Sequence, residues 1–268
     1  MQSVGLTRRQ VLSAIALLPL TALSDSAFAQ PAASRALPGR GLPTVVIDPG
    51  HGGMDPGAIG AHGVYEKDIV LATASEFARQ LAVTGRFRVM LTRRSDEFLP
   101  LRERVARARA WKADLFVSIH ADALPDAELR GLSVFTQSAT ASDREAAALA
   151  KSENRADLVA GINLAQQPRE VWNILFDLTR RETGNLSVAL AHKITTELGR
   201  EVVLRGGAQR SADFAVLTAA DVPSALVELG CLSNLAEARL LQQRAYQQKL
   251  ARGLVRAVEA YFAAFGER

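Results

Sequence analysis

Three short apolar runs constrain this chain most, because each ends at a residue with reactive chemistry. Thr44-Val45-Val46-Ile47-Asp48 is β-branched and apolar, the pattern of a buried strand. It runs into the tight, glycine-rich Pro49-Gly50-His51-Gly52-Gly53. A second run, Asp114-Leu115-Phe116-Val117-Ser118-Ile119-His120, ends on a histidine, and a third, Ala225-Leu226-Val227-Glu228-Leu229, carries a carboxylate at its end. Two more strands are expected over residues 87–92 and 131–136. Helical spacing separates the runs. Val70, Ala74, Phe77 and Leu81 repeat along a helix that starts at Glu66, residues 101–111 form an arginine-rich helix, and a C-terminal helix is expected over 235–265.

Strands alternating with helices predict an α/β fold, a sheet with helices on its faces. In such sheets ligands bind at the carboxyl ends of strands. His51, His120 and Glu228 all lie at or just past such an end, and Glu66 opens the helix after the first loop, so four groups distant in sequence can meet at one edge. The 268 residues, 48% of them hydrophobic, suffice for one such domain with its own core. One cysteine, Cys231, excludes an internal disulfide and reads as a small buried apolar residue. The glycines around His51 do not make a dinucleotide fingerprint: counted from Gly50, the last required glycine falls on Asp55.

The first residues read as an address. Thr7-Arg8-Arg9-Gln10-Val11-Leu12 is a twin-arginine pattern, an apolar run over 11–23 follows, and Ala27-Phe28-Ala29 supplies small residues for cleavage before Gln30. The apolar run is shorter than the roughly 20 residues of a spanning helix, so a stable membrane anchor is not expected. The expected organisation is a signal peptide over 1–29, a flexible linker over 30–43 and a folded domain over 44–268, exported to the periplasm. Loss of Arg8, Arg9 and Asp25 takes one charge from the net +4. The mild positive balance left suits an anionic polymer and is too weak to indicate nucleic acid.

Between residues 137 and 181 the strand–helix rhythm gives way to helical pattern alone, as an inserted segment would. Ser142-Asp143-Arg144-Glu145 has capping-box form and predicts a helix running to about 159. Ala146, Leu149, Ala150, Ala156 and Ala160 form its apolar stripe, and Glu153 lies within that stripe. A buried carboxylate there needs a cation; on a shallow stripe it reaches solvent instead. Pro168 fits the start of another helix, and Val171, Trp172, Ile174, Leu175 and Phe176 offer an apolar segment that suits either core or a docked protein.

Two histidines and a glutamate are a common catalytic zinc set with a position left open for water. His51, Glu66 and His120 suit the ligands, and Glu228 suits a proton shuttle. Plainer roles compete: a hydrogen-bonded strand-end histidine for His120, a helix-start carboxylate for Glu66, an ion-paired carboxylate for Glu228. Asp48 could orient a ligand histidine or simply form a turn. His62 and His192 read as surface residues. Arg93, Arg94, Arg102, Arg104, Arg107 and Arg109 offer a basic lining for a groove that takes an anionic wall polymer, though a solvated face paired with Glu97 and Glu103 is the simpler expectation.

Four ordered motifs carry a resemblance: Val45-Val46-Ile47-Asp48-Pro49-Gly50-His51-Gly52-Gly53; Glu66-Lys67; Phe116-Val117-Ser118-Ile119-His120-Ala121-Asp122; and Val227-Glu228-Leu229-Gly230. Together they resemble the zinc-dependent N-acetylmuramoyl-L-alanine amidases of the cell-separation type, from Thr44 to the C-terminus. The resemblance implies a twisted, mainly parallel sheet flanked by helices, with an inserted helical regulatory segment. It implies that His51, Glu66 and His120 bind Zn2+ and that Glu228 is the catalytic carboxylate. The implied substrate is peptidoglycan, cut between N-acetylmuramic acid and L-alanine. Leu149-Ala150-Lys151-Ser152-Glu153-Asn154-Arg155-Ala156-Asp157 is similar to a helix that closes the site in such enzymes until a protein activator withdraws it, which implies an inhibitory metal contact for Glu153 and an activator docking on 137–181. The linker is too short for the extra N-terminal domain of some relatives, so placement at the division site would depend on a partner. Three other classes stay open: a non-catalytic wall-binding module of the same fold, a zinc peptidase cutting within the stem, and an interaction protein.

Overall fold

The computed structural model of the protein describes residues 41–60, 63–159 and 174–266, with 174–180 as helix backbone alone. The expected leader, most of the expected linker, His62, Ala160, Pro168, Val171 and Trp172 lie outside the described residues. Six strands form one sheet: β1 (Thr44–Pro49), β2 (Arg88–Leu91), β3 (Leu115–His120), β4 (Leu132–Gln137), β5 (Leu204–Ala212) and β6 (Ser224–Glu228). Their order is β2-β1-β3-β6-β4-β5, and every pairing is parallel except β4 with β6. The helices are α1 (Glu66–Val83), α2 (Leu101–Ala110), α3 (Arg144–Glu153), α4 (Ala156–Val159), α5 (Ile174–Leu198), α6 (Leu235–Leu241) and α7 (Arg244–Phe265).

The two-residue period of a strand divides its side chains between two cores. Val45, Ile47, Val117, Ile119 and Val227 pack with Phe77 of α1, Ile194 of α5 and Leu254 of α7. Val46, Phe116, Phe135 and Leu226 point the other way, onto Ala108 of α2, Leu149 of α3 and Phe214. Because both faces are covered, the central strands read as continuous apolar runs.

Several boundaries differ from the sequence expectation for identifiable reasons. The helix expected from Ser142 is capped by Asp143, whose side chain accepts from Ala146 N, while Ser142 bonds Asp143 and Ser211 instead. It also divides in two. Asn154, between α3 and α4, donates to Asp213 O and accepts from Ala215 N, which ties the chain down at the break. The C-terminal helix divides at Gln242-Gln243, where neither glycine nor proline marks the step. The expected insert boundary at 181 falls inside α5, which continues without interruption to Leu198. The sequence pattern predicts no strand at β5, since Arg205-Gly206-Gly207 interrupts the alternation there. Among the described residues, no helix is long and apolar enough to cross a membrane.

Candidate metal centre

β1, β3 and β6 lie side by side and run the same way, so their carboxyl ends share one edge. His51 follows β1, His120 ends β3, and Glu228 ends β6 directly beside His120 in the register. Glu66 reaches the same edge from the first turn of α1. The positions thus follow from where four segments stop.

Close packing brings the side chains together. A Cβ on Gly50 would lie 2.4 Å from the His120 ring. Gly57 has φ +68, and a Cβ there would lie 2.6 Å from Glu66 Oε2. His51 itself sits at φ 56, a left-handed conformation that costs a side-chain-bearing residue on the order of 1 kcal/mol or more. Buried groups hold it there. Arg104 Nη2 donates to His51 O at 2.8 Å and Nη1 to Pro49 O at 2.6 Å, while Arg93 Nη2 donates to Gly50 O at 2.6 Å. His51 Nδ1 pairs with Asp55 Oδ2 at 2.8 Å, which fixes the ring and turns Nε2 inward.

His51, Glu66, His120 and Glu153 are all buried, and one ligand atom from each lies within 4.8 Å of the others. His51 Nε2 is 3.1 Å from Glu66 Oε2 and 3.1 Å from Glu153 Oε2, and His120 Nδ1 is 3.1 Å from Glu66 Oε1 and 3.0 Å from Glu153 Oε2. His51 Nε2 and Glu153 Oε2 nevertheless have no hydrogen-bond partner of good geometry. His120 Nδ1 and Glu66 Oε1 do meet as a hydrogen bond, but the unpartnered His51 Nε2 and Glu153 Oε2, this close and buried, suit a shared cation. Ligands about 2.0–2.1 Å from a tetrahedral zinc ion stand roughly 3.3 Å apart, near the spacing seen. Two carboxylates and two neutral imidazoles also carry two negative charges, matching a divalent ion. The donor set therefore fits zinc.

Left to themselves the groups would ionise against one another. Burial alone depresses the His120 imidazole, but the facing Glu153 and Glu66 carboxylates outweigh it and lift it to about 9. Burial would raise Glu153, but His120 and His51 bring it down to about 2, and Glu66 is lowered in the same way.

Glu228 stands beside this group and outside it. It is fully buried, its Oε2 accepts from Asp122 N at 2.9 Å, and its Oε1 has no partner. Burial first, then the Asp122, Glu66 and Glu153 carboxylates, push it well above the ordinary carboxylate range. The space left between His51, His120, Glu153 and Asn154 is about 10 Å³, roughly one water. α3 fills the rest, with Ala146, Leu149, Ala150 and Glu153 buried beneath it.

The structure decides between three pairs of alternatives that the sequence leaves open. Asp48 does not orient a histidine: it accepts from Thr92 Oγ1, Ser118 Oγ and Arg104 Nη1, and Asp55 takes the expected role. Arg93 and Arg104 line no surface groove: both are about 1% exposed and brace the His51 loop, and Arg104 borders only the small cavity beside His51; Arg107 and Arg109 pair with Glu103 and Asp221, and Arg94 and Arg102 lie at the surface. Glu153 does not reach solvent, being 8% exposed against the two histidines. His192 is exposed and Cys231 buried, as expected. The His-x-x-x-Asp spacing of residues 51 and 55 was the one available signal for Asp55.

The model for the family described as N-acetylmuramoyl-L-alanine amidase matches residues 45–260. The chain is 42% identical over 231 residues to the N-acetylmuramoyl-L-alanine amidase AmiC of Neisseria meningitidis serogroup B, covering 84% of this chain and 55% of that one. It is 39% identical over 267 residues to the N-acetylmuramoyl-L-alanine amidase AmiA of Escherichia coli, covering 96% and 92%. It thus spans about half the length of its AmiC relatives. Among solved structures, the N-acetylmuramoyl-L-alanine amidase from Clostridium difficile is similar with a TM-score of 0.61 at 26% identity, covering 84% of this chain and 99% of that one.

Proposed function

The chain belongs to the N-acetylmuramoyl-L-alanine amidase family, and we propose that it hydrolyses the amide joining the lactyl group of N-acetylmuramic acid to L-alanine in peptidoglycan. The observation that carries this reading is the convergence of His51, Glu66 and His120 beside a buried Glu228 with one free oxygen. In this reading His51 Nε2, Glu66 and His120 Nδ1 hold a zinc ion. Bound zinc would supply Lewis acidity, polarising the scissile carbonyl and lowering the pKa of a water to about 7.

Glu228 then moves the proton. The Asp122 N–H fixes Oε2 and leaves Oε1 to accept a proton from the attacking water. As the C–O bond forms and the C–N bond breaks, Glu228 delivers that proton to the departing nitrogen of L-alanine. Its raised pKa suits it to hold a proton between those two events. Asp55 keeps the His51 ring oriented, and Arg93 and Arg104 hold the loop that carries it.

The same reading makes α3 an inhibitory element. Glu153 takes the place that the carbonyl and the water need, and little room remains beside it. A protein activator acting on the 137–181 segment would withdraw it. The twin-arginine pattern supports export to the periplasm, and a device that keeps a wall hydrolase silent until called suits daughter-cell separation.

Digestion of purified peptidoglycan by residues 30–268 tests this. Glu153→Ala is expected to raise basal activity without activator. That activity should require zinc, release stems with a free L-alanine amino terminus, and disappear in Glu153→Ala combined with Glu228→Gln. Zinc-loaded Glu153→Ala protein that releases nothing would leave the non-catalytic wall-binding module as the better reading.

A further inference from the structure

A further buried charge lies beside the site and takes no part in the chemistry above. Arg205 is 5% exposed, and its Nε and Nη2 have no hydrogen-bond partner. Nη1 donates to Glu145 Oε1 at 2.8 Å and lies 3.6 Å from Asp122 Oδ2. Asp122 is the residue whose N–H holds Glu228, so the guanidinium stands one residue from the proposed proton carrier.

The fold places it there through an irregularity. Leu132 of β4 pairs with Leu204 of β5, but Val134 pairs with Gln209, so an extra loop of β5 containing Arg205, Gly206 and Gly207 bulges from the ladder. Bulges commonly re-aim a side chain near a site. Because β4 runs opposite to β6, the starts of β4 and β5 lie at the edge where β6 ends.

A buried guanidinium with two idle donors is costly unless something else fills them. A carboxylate meets a guanidinium through two parallel bonds, whereas Glu145 offers one oxygen, Oε1, and divides it between Arg205 and Arg210. Glu145 and Glu153 also belong to one helix, about 12 Å apart along its axis. One meets the two histidines and the other meets Arg205.

We propose that Arg205 recognises a carboxylate of the peptide stem, and that Glu145 of α3 occupies this anion subsite while the helix covers the site. The proposal rests on the amidase reading and names the specificity residue of that same site. α3 then imitates substrate at two points, at the metal ligands through Glu153 and at the stem subsite through Glu145.

The test compares two soluble muramoyl dipeptides that differ only at the second residue, one with a free carboxylate and one with the carboxamide. With Glu153→Ala protein and zinc, the carboxylate form should have a KM about tenfold or more lower, the order of a charge-assisted bond, at similar kcat. Arg205→Gln added to Glu153→Ala should abolish that preference by raising KM for the carboxylate form alone, and Arg205→Lys should restore part of it. In the chain with Glu153 intact, Glu145→Gln should raise basal wall digestion. Equal KM for both dipeptides with Arg205 intact overturns the subsite, even if Arg205→Gln fails to fold, and unchanged basal activity in Glu145→Gln overturns the mimicry. Failure to cut either dipeptide, or peptidoglycan itself, would instead count against the amidase reading.

Discussion

His51 adopts a backbone conformation its side chain disfavours, and its neighbours are built around that fact. Arg104 gathers His51 O, Pro49 O and Leu99 O, while Asp55 fixes the ring. Asp55→Asn is expected to leave the fold intact and weaken zinc binding about 10–100-fold, because the partner that orients a ligand histidine also raises its basicity. Competition against a chromophoric chelator measures this. Asp48 answers for the charge of Arg104. Burial would raise its carboxyl, but Arg104, with Thr92 and Ser118, holds it below the ordinary 3.8. A depressed folded-state pKa stabilises the protein above that value, and the contribution is lost as pH falls below it. Asp48→Asn should therefore be less stable by about 3–5 kcal/mol at pH 7, where it leaves a buried cation unpaired. The gap should narrow below pH 4 in urea melts at matched pH. His51, Glu66 and His120 could be picked out from the sequence because each follows or closes a strand or opens a helix. Asp55 had only its four-residue spacing from His51 to mark it, and Arg104 and Arg205 had nothing, because only the folded loops show which carbonyls and carboxylates face them.

α3 is secured along one side by Leu149 and Ala150 and at its ends by polar contacts: Glu145 with Arg205 and Arg210, Asn154 with Asp213 and Ala215, and Asp157 of α4 with Leu101 N. Its apolar face is mostly alanine, so little area holds it compared with the helices of the other core. Leu149→Ala should remove about 2–3 kcal/mol of packing. Because an element can open locally, hydrogen exchange should quicken in α3 while α1 stays protected. Basal wall digestion is expected to rise as stability falls. A loss of activity in step with stability would speak against an inhibitory role. At this scale the sequence conveyed the alternation of strands and helices well, since both cores impose clear periods. It did not convey β5, whose arginine and glycines serve the bulge, nor the break at Asn154, which depends on contacts far along the chain.

In the whole molecule, strand order creates the site. β1, β3 and β6 are neighbours although 103 residues separate β3 from β6, and only that adjacency brings His51, His120 and Glu228 to one edge. The crossing of β4 against β6 adds Arg205 to that edge. In the proposed reaction these groups direct water onto the lactyl carbonyl of muramic acid. Digestion of peptidoglycan by zinc-loaded Glu153→Ala protein in water enriched in heavy oxygen tests it most directly. The label should enter the lactyl carboxylate of the released glycan, with unlabelled L-alanine amino termini on the stems. Label in a peptide carboxylate would mean a peptidase acting within the stem, and would contradict the claim.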